Sequence, residues 1–466
     1  MNASTQRIAR ALGTLFVLLL GFAHDCHAHG FGERYDLPVP MLWVNIAACC
    51  VVAMSFLLTP FLNPSSTLKD TTLDLGASNV HLQPPLDASL GTYFWMGLSS
   101  LLLVLTWSCA SFGIQDALMN FAPTFIWIIW WLGTSFACLL FGNIWSSIDP
   151  WMGLYLAASH LKTRIIGGVH PPRSGARAPL NTPSRLKWPE SLGRWPACLS
   201  LLVWCGLEII YPIASMPERL GAFIVIYSVY TWIGMFTFGA AQWRRTGDGF
   251  SLYFELIAQL RQQLINLFKT SQQLSVNSDK LPAEHRPQSR VTNVQSQQPT
   301  PKNLNSNMSM CLSTIGLVMA MFSSVLFDGL HASQGWLVFE RWVSHWPFLQ
   351  HDLNGYVKGS LGLGLLWASL SFTYMLTCHF THRMFFLIPH YDRFQSQLNF
   401  STTALAISFL SCLLPIAVAY LIAHNFSSFF IQGQNIIALA SDPYGFGWNL
   451  WGTAHFYPDI TLIDAK

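Results

Sequence analysis

Residues 400–424 read FSTTALAISFLSCLLPIAVAYLIAH, a stretch that contains no Asp, Glu, Lys or Arg. A membrane-spanning α-helix needs about 20 predominantly apolar residues, so this stretch is long enough to cross a bilayer. We therefore expect an all-α fold, a polytopic bundle of about eight transmembrane helices, because segments of the same kind recur along the chain. The other segments lie at residues 41–62, 90–112, 122–144, 195–214, 220–241, 308–328 and 358–379.

The composition of the whole chain is also typical of a membrane protein. Of its 466 residues, 52% are hydrophobic and only 10% are charged, whereas about 25% of the residues in a soluble domain are charged. The formal net charge of +3 is too small to indicate binding to nucleic acid. We expect a lipid bilayer around the spans and no nucleic-acid partner.

The N-terminus has the pattern of a signal peptide. Arg7 and Arg10 precede the short apolar run ALGTLFVLLLGFA, and small residues follow it, as in exported proteins. Cleavage after Ala28 would remove residues 1–28 and make His29 the first residue of the mature chain, although a cut after Ala23 is also allowed. Either cut places the mature N-terminus outside the cytoplasm.

The basic residues are divided unequally between the two sides of the membrane that this start implies. The predicted cytoplasmic loops contain 18 Lys and Arg residues, the exported segments contain five, and the signal peptide contains two. Cytoplasmic loops of membrane proteins carry such an excess. We expect a multi-pass protein of the bacterial inner membrane with both mature termini on the periplasmic side. Five spans then lie in residues 29–242, three lie in 308–424, and residues 425–466 are exported.

Residues 243–307 separate the two groups of spans on the cytoplasmic side. In the stretch GFSLYFELIAQLRQQLINLF, five leucines recur near one face of a helix, Leu252, Leu256, Leu260, Leu264 and Leu267. This spacing is typical of an amphipathic helix at a membrane interface. The following residues are rich in Ser, Gln, Asn and Pro, which predicts a disordered cytoplasmic linker.

Several ionisable side chains lie near the exported ends of the predicted spans. Glu208 lies within a span, where an idle carboxylate would be costly, so we predict a catalytic role as a base or as a group that orients the site. Imidazole and carboxylate groups at one depth can bind Zn, Cu or Fe. We therefore predict a divalent metal ion held by His29, Asp328 and His424, with Asp442 as catalytic support.

Each of these side chains also has an ordinary structural explanation. His424 is expected to end the last helix, where it could act as an interfacial cap. Asp328 precedes a glycine and Asp442 precedes a proline, and both patterns are common in turns. The sequence alone leaves both explanations open.

Four parts of the chain resemble a family of bacterial multi-span membrane proteins labelled fenitrothion hydrolase. They are HGFGERYDLPVPMLWV at the mature N-terminus, WRRTGDGFSLYFELIAQL, SSVLFDGL, and the tail LPIAVAYLIAHNFSSFFIQGQ with ASDPYGFGWNLWGTA. The resemblance covers most of the chain apart from the two long cytoplasmic loops. It implies hydrolysis of the P–O–aryl bond of a small hydrophobic organophosphate, a phosphorothioate triester, to a nitrophenol and a dialkyl thiophosphate.

The resemblance also implies a partner. Longer members of the family continue beyond the segment DPYGFGWNLWGTA into another membrane span, whereas this sequence continues with HFYPDITLIDAK. We therefore expect a second small membrane subunit to pack beside this chain.

Two other functions remain open at this stage. A mature chain that begins with His29 could bind copper through its amino group and imidazole ring, as a non-hydrolytic subunit of a membrane complex. Alternatively the chain could be a transporter in which Glu208 is the coupling carboxylate. Metal analysis and a product assay with an aryl phosphotriester distinguish these functions.

Overall fold

The computed structural model describes residues 90–166, 186–278, 304–385 and 402–463, apart from 348, 351, 353 and 354. The predicted signal peptide, His29, the span at 41–62 and most of the predicted linker lie outside these residues. Every described element is helical, and seven described helices are long and apolar enough to cross a membrane. The all-α fold and the multi-pass character are therefore confirmed.

Each of the seven described spans overlaps one segment predicted from the sequence. The agreement follows from length and composition, because a long window with almost no charge has few other stable conformations in a bilayer. The spans are Leu90–Phe112, Phe121–Phe141, Glu190–Ile210, Pro217–Phe238, Met308–His331, Tyr356–Arg383 and Leu405–Gln432.

The helices are numbered in chain order, and short 3₁₀ turns lie at Glu190–Leu192, Pro212–Ser215 and Ile460–Ile463. The first half of the described chain contains α1 (Leu90–Phe112), α2 (Phe121–Phe141), α3 (Trp145–Ile148), α4 (Pro150–Ile166), α5 (Trp195–Ile210), α6 (Pro217–Phe238) and α7 (Ala240–Thr246). The second half contains α8 (Gly249–Ser278), α9 (Leu304–His331), α10 (Gln334–Val343), α11 (Tyr356–Phe385), α12 (Thr402–Gln432) and α13 (Asn435–Ser441).

The contacts divide the chain into two compact units. The first unit includes the described residues between 324 and 366, which are the end of α9, helix α10 and the start of α11. The rings of Phe327 and Trp336 pack edge to face with centroids 5.2 Å apart. Gly362 lies so close to Trp336 that an added Cβ atom would be 2.4 Å from the indole ring. A larger residue at position 362 would therefore displace this ring.

The second unit contains the other described helices around an aromatic and aliphatic core. Helix α1 packs against α4 and α6, and α8 packs against α5 and the second half of α2. The largest fully buried side chains include Trp131, Trp145 and Phe254. This unit contains the cavity and the buried charges described below.

The first half of helix α8, which the sequence predicts as an interfacial amphipathic helix, is buried in protein, whereas Leu264 further along is 41% exposed. An interfacial position for the helix as a whole stays a prediction. The side chains of Leu252, Leu256 and Leu260 are buried in the core of the second unit, and so are Phe254 and Ile257 on other faces of the helix. The first half of α8 is therefore a core helix. Leucine spacing shows that a helix buries one face, but it does not distinguish burial in lipid from burial in protein.

Candidate functional site

The middle of α2 departs from regular α-helix geometry. The stretch FIWIIWWL, residues Phe125–Leu132, forms a π-helix between two α-helical turns. Such segments are rare and occur frequently at functional sites. The ring centroid of Trp130 lies 4.8 Å from that of Phe250 and 5.8 Å from that of Trp204. The π-helical segment thus forms part of an aromatic wall shared with α5 and α8.

An apolar cavity of about 410 Å³ lies beside this wall in the second unit. Ligand pockets commonly have volumes of about 300–1,000 Å³ and apolar, aromatic linings, so the cavity is large enough for a small organic molecule. None of the described residues that line it is charged. They are Trp95, Leu98, Ser99, Leu102, Leu103, Phe125, Ile126, Ile129, Trp130, Gly133, Thr134, Ala137, Ile144, Ile148, Pro150, Trp151, Trp204, Leu220, Phe223, Ile224, Tyr227, Phe250 and Phe429.

A buried ion pair lies next to the cavity wall. Asp149 Oδ2 is 3.1 Å from Arg244 Nε, and each side chain is only 1% exposed. Asp149 directly precedes α4, and its Oδ1 accepts the backbone N–H of Met152 in the first turn of that helix at 3.0 Å. Pro150 and Trp151, the next two residues, line the cavity. Burial raises the pKa of Asp149, and the positive charge of Arg244 opposes that rise.

Asp248 links the cavity wall to the start of α8. Its Oδ1 accepts the hydroxyl of Tyr227, a cavity residue, and the backbone N–H of Phe250 at 3.2 Å. Its Oδ2 accepts the hydroxyl of Ser251 at 2.5 Å, and the indole N–H of Trp145 donates to that hydroxyl at 3.1 Å. The carboxylate therefore ties together side chains from three elements.

Two further charged groups lie in the same part of the second unit. Glu255 on α8 accepts hydrogen bonds from the amides of Asn143 and Gln259, the latter at 3.2 Å. Burial raises the pKa of Glu255, whereas these two hydrogen bonds lower it. Arg194 at the start of α5 is buried and donates from Nη1 to Thr314 Oγ1 at 2.8 Å.

We call these five side chains the buried charge cluster: Asp149, Arg194, Arg244 and Asp248, which are buried, and Glu255, which is partly buried. All five lie in stretches that the sequence predicts to be cytoplasmic loops, and none of them is a predicted site residue. The signal that could have identified them is the presence of acidic and basic residues within otherwise apolar and aromatic stretches, in SSIDPWMG and WRRTGDGFSLYFEL. Buried charges of this kind are costly unless they are paired and hydrogen-bonded.

Among the predicted site residues, Glu208 lies beside the aromatic wall. It is one helical turn after the cavity residue Trp204, and its Oε2 accepts the indole N–H of Trp131 at 3.1 Å. Trp131 in turn stacks on Tyr253 with ring centroids 4.6 Å apart. These contacts provide Glu208 with the partner that its position within a span requires.

His424 differs from the prediction in its position along the helix. Helix α12 continues for two more turns to Gln432, so His424 does not end it. The side-chain amide of Asn425 donates to the Leu421 carbonyl at 3.0 Å, which accommodates this polar residue within the helix. The His424 ring stacks on that of Tyr420, with centroids 5.6 Å apart.

Asp442 organises the loop that follows α13. Its Oδ1 accepts the backbone N–H of Phe446 at 2.9 Å, and its Oδ2 accepts that of Gly447 at 2.7 Å. This arrangement agrees with the turn explanation of the sequence. A role for Asp442 in catalysis stays a prediction.

The predicted metal site is only partly within the described residues. Asp328 lies in the first unit, half-buried in α9, which continues to His331. His424 lies in the second unit, and His29 is outside the described residues. Within the described parts of the chain, no three His, Cys, Asp or Glu side chains form a group that could hold a metal ion. The metal site therefore stays a prediction.

Comparison with known proteins gives no match. No family model matches the sequence, and neither a curated protein nor a solved structure matches the chain. The resemblance to the fenitrothion hydrolase family therefore depends on the quoted sequence stretches alone.

Proposed function

We propose that the chain is a membrane-bound hydrolase of small aromatic organophosphorus triesters, phosphorothioates such as fenitrothion, which enter its cavity from the lipid. The observation that supports this proposal best is the cavity of about 410 Å³ with an aromatic, uncharged lining. A neutral triester partitions into membrane and carries no charge that would have to be desolvated. Its aryl ring can pack against the aromatic rings of Trp130, Trp151 and Trp204 in the cavity wall.

The same lining argues against charged phosphate monoesters as substrates. Enzymes that bind phosphate groups place Arg, Lys, metal ions or helix N-termini against the phosphate oxygens. The cavity wall offers apolar side chains and a few hydroxyl groups instead. The proposed substrate class is therefore neutral and largely apolar.

The proposed reaction uses Glu208 as the general base at the edge of the cavity, because Glu208 is exposed and lies one helical turn from the lining residue Trp204 without lining the cavity itself. A water molecule attacks phosphorus while the P–O–aryl bond breaks, and the proton of the water passes to the Glu208 carboxylate. The aryl oxygen leaves with the bonding electron pair as an aryloxide, which its nitro substituent stabilises. The hydrogen bond from Trp131 to Glu208 Oε2 would keep the carboxylate oriented. The divalent metal predicted at His29, Asp328 and His424 is not needed to write this step.

The orientation and the partner belong to the same proposal. We place the chain in the bacterial inner membrane with the loop after α13 on the periplasmic side, on the strength of the basic-residue asymmetry. The second small membrane subunit is proposed from the family resemblance. Copper binding and transport stay alternative predictions, and neither would release a nitrophenol.

The test compares two adjacent leucines of α1. Leu102 lines the cavity, whereas Leu101 is 69% exposed and is not a lining residue. Leu102→Trp should fill the cavity and lower kcat/KM for fenitrothion by about tenfold or more, a loss of about 1.4 kcal/mol. Leu101→Trp should leave kcat/KM nearly unchanged. Release of the coloured nitrophenol is measured in membranes, with and without co-expression of a neighbouring short membrane-protein gene.

A second substitution tests the chemistry. Glu208→Gln should reduce kcat by about 10²–10⁴, the usual contribution of a general base, while retaining binding of the substrate. Equal activity of the Leu101 and Leu102 variants would exclude the cavity as the substrate site. Absence of nitrophenol from the parent chain under both expression conditions would exclude the hydrolase function.

A further inference from the structure

Residues 442–460 form a tightly hydrogen-bonded segment that we call the aromatic loop. Besides the two bonds to Asp442, Ser441 Oγ accepts the backbone N–H of Trp451 at 2.9 Å. Asn449 Oδ1 accepts the N–H of Ala454 at 3.1 Å, and Thr453 Oγ1 donates to the carbonyl of Ile437 at 2.8 Å. Three glycines in the loop have positive φ angles. The loop therefore has a defined backbone conformation.

This conformation turns large apolar side chains outward. Phe446 is 56% exposed, Trp451 is 73% exposed and Tyr457 is 85% exposed. The loop contains no Lys or Arg. Leu118 and Met119, in the connection between α1 and α2, are exposed as well.

Backbone contacts fix the depth of the loop relative to the spans. The carbonyl of Tyr444 accepts the N–H of Ile114 at 2.8 Å, and the carbonyl of Pro443 accepts the N–H of Phe121 at 3.1 Å. Ile114 follows the end of α1, and Phe121 begins α2. The 23 residues of α1 extend about 34 Å at 1.5 Å per residue, against a hydrocarbon core of about 30 Å. The loop therefore lies level with the boundary between hydrocarbon and headgroups.

The exposed surface of the loop also continues the lipid-facing surface of the spans. Phe112 at the end of α1 is 66% exposed, and Phe430 near the end of α12 is 40% exposed. Apolar faces of these helices meet acyl chains in a bilayer. Trp and Tyr are the residues most enriched where such faces reach the headgroups, because their rings are apolar and carry one polar atom.

We infer that the aromatic loop binds phospholipids and is embedded in the lipid–water interface at this end of the spans. Its occupant is the glycerol and carbonyl region of the phospholipids, against which Phe446, Trp451 and Tyr457 pack. This inference is independent of the proposed hydrolase function.

The experiment uses two photoactivatable phosphatidylcholines in nanodiscs that contain the full chain. One carries a diazirine near the ester end of an acyl chain, and the other carries it near the terminal methyl group. Covalent adducts are mapped by mass spectrometry after illumination. We expect the shallow probe to label the peptide that contains Trp451 and Tyr457. The deep probe should label Leu101, which is exposed in the middle of α1 and serves as the internal reference.

The variant Trp451→Asp sharpens the test, because a carboxylate disfavours the interface that tryptophan prefers. It should lose most of the shallow-probe labelling of its own peptide and keep the deep-probe labelling of Leu101, which reports that the spans are still inserted. Loop peptides that remain unlabelled by both probes while Leu101 is labelled would overturn the inference. Cross-links from the loop to peptides of another protein chain would overturn it as well, because a protein would then cover the rings.

Discussion

Two aspartates with similar local sequences occupy opposite environments in this protein. Asp248 follows the short helix α7 in TGDGF, and Asp442 follows the short helix α13 in SDPYGF. Both carboxylates accept backbone N–H groups of the residues that follow. Asp248 is 2% exposed and lies within the buried charge cluster, whereas Asp442 organises a loop whose side chains point outward.

The difference between the two regions shows that burial, not local sequence, determines how much a turn aspartate contributes to the free energy of unfolding. Around Asp248, the bonds from Tyr227 and Ser251 cannot be replaced by water, so removing an acceptor leaves a buried polar group unsatisfied. Around Asp442, solvent or lipid headgroups can satisfy freed N–H groups. Substitutions should therefore cost much more in the buried charge cluster than in the aromatic loop.

The largest effect is expected from breaking the buried ion pair. Arg244→Leu removes the cation and leaves Asp149 buried without it, which should cost about 3–5 kcal/mol of unfolding free energy. The double substitution Asp149→Leu with Arg244→Leu should recover most of that loss, because no unpaired charge remains. Thermal unfolding in nanodiscs measures both.

Arg219 at the start of α6 provides the matched control, since its side chain is exposed. Arg219→Leu should change stability by no more than about 0.5 kcal/mol, as surface substitutions usually do. If the Arg244→Leu and Arg219→Leu variants unfold at the same temperature, the buried ion pair does not stabilise the folded protein.

Substitution by asparagine should cost more unfolding free energy at Asp248 than at Asp442, although less than the loss of the buried ion pair. Asp248→Asn should cost about 1.5–3 kcal/mol, because both carboxylate oxygens accept hydrogen bonds and the amide nitrogen that replaces one of them cannot accept. Asp442→Asn should cost about 1 kcal/mol or less, because Asp442 is only partly buried and the loss is in the range of a helix-cap substitution. Both are measured by unfolding under the same conditions. Equal costs would show that burial does not distinguish the two sites.

The sequence predicts the spans well, because long windows without charge determine them almost independently of their neighbours. It does not predict which helix faces pack together. For this reason it predicts neither the burial of α8, nor the cavity, nor the buried charge cluster. Leu252, Leu256 and Leu260 have the same spacing in a core helix as in a membrane-surface helix. The cavity arises where eight helices meet around a π-helical segment, and the buried charge cluster combines residues far apart in the chain. The apolar window predicted as the last span ends at His424, whereas the helix continues to Gln432.

The smallest predicted effect concerns Glu255 and its response to pH. Burial raises the pKa of this carboxyl group above its ordinary value of 4.5, so the folded protein holds the proton more tightly than the unfolded chain does. Below pH 4.5 the protonated group makes its full contribution to the free energy of unfolding. It is lost as the pH rises through the higher pKa of the folded state.

Glu255→Gln keeps an uncharged hydrogen-bonding side chain at every pH and removes this dependence. The melting temperature of the variant relative to the parent should therefore rise as the pH increases from 4.5 through the raised pKa of Glu255 in the folded state. Glu190→Gln is the control, because Glu190 is exposed and its difference from the parent should stay constant with pH. A Glu255→Gln difference that is flat or falls over this range would contradict the prediction and would place Glu255 in a better solvated position than the buried charge cluster.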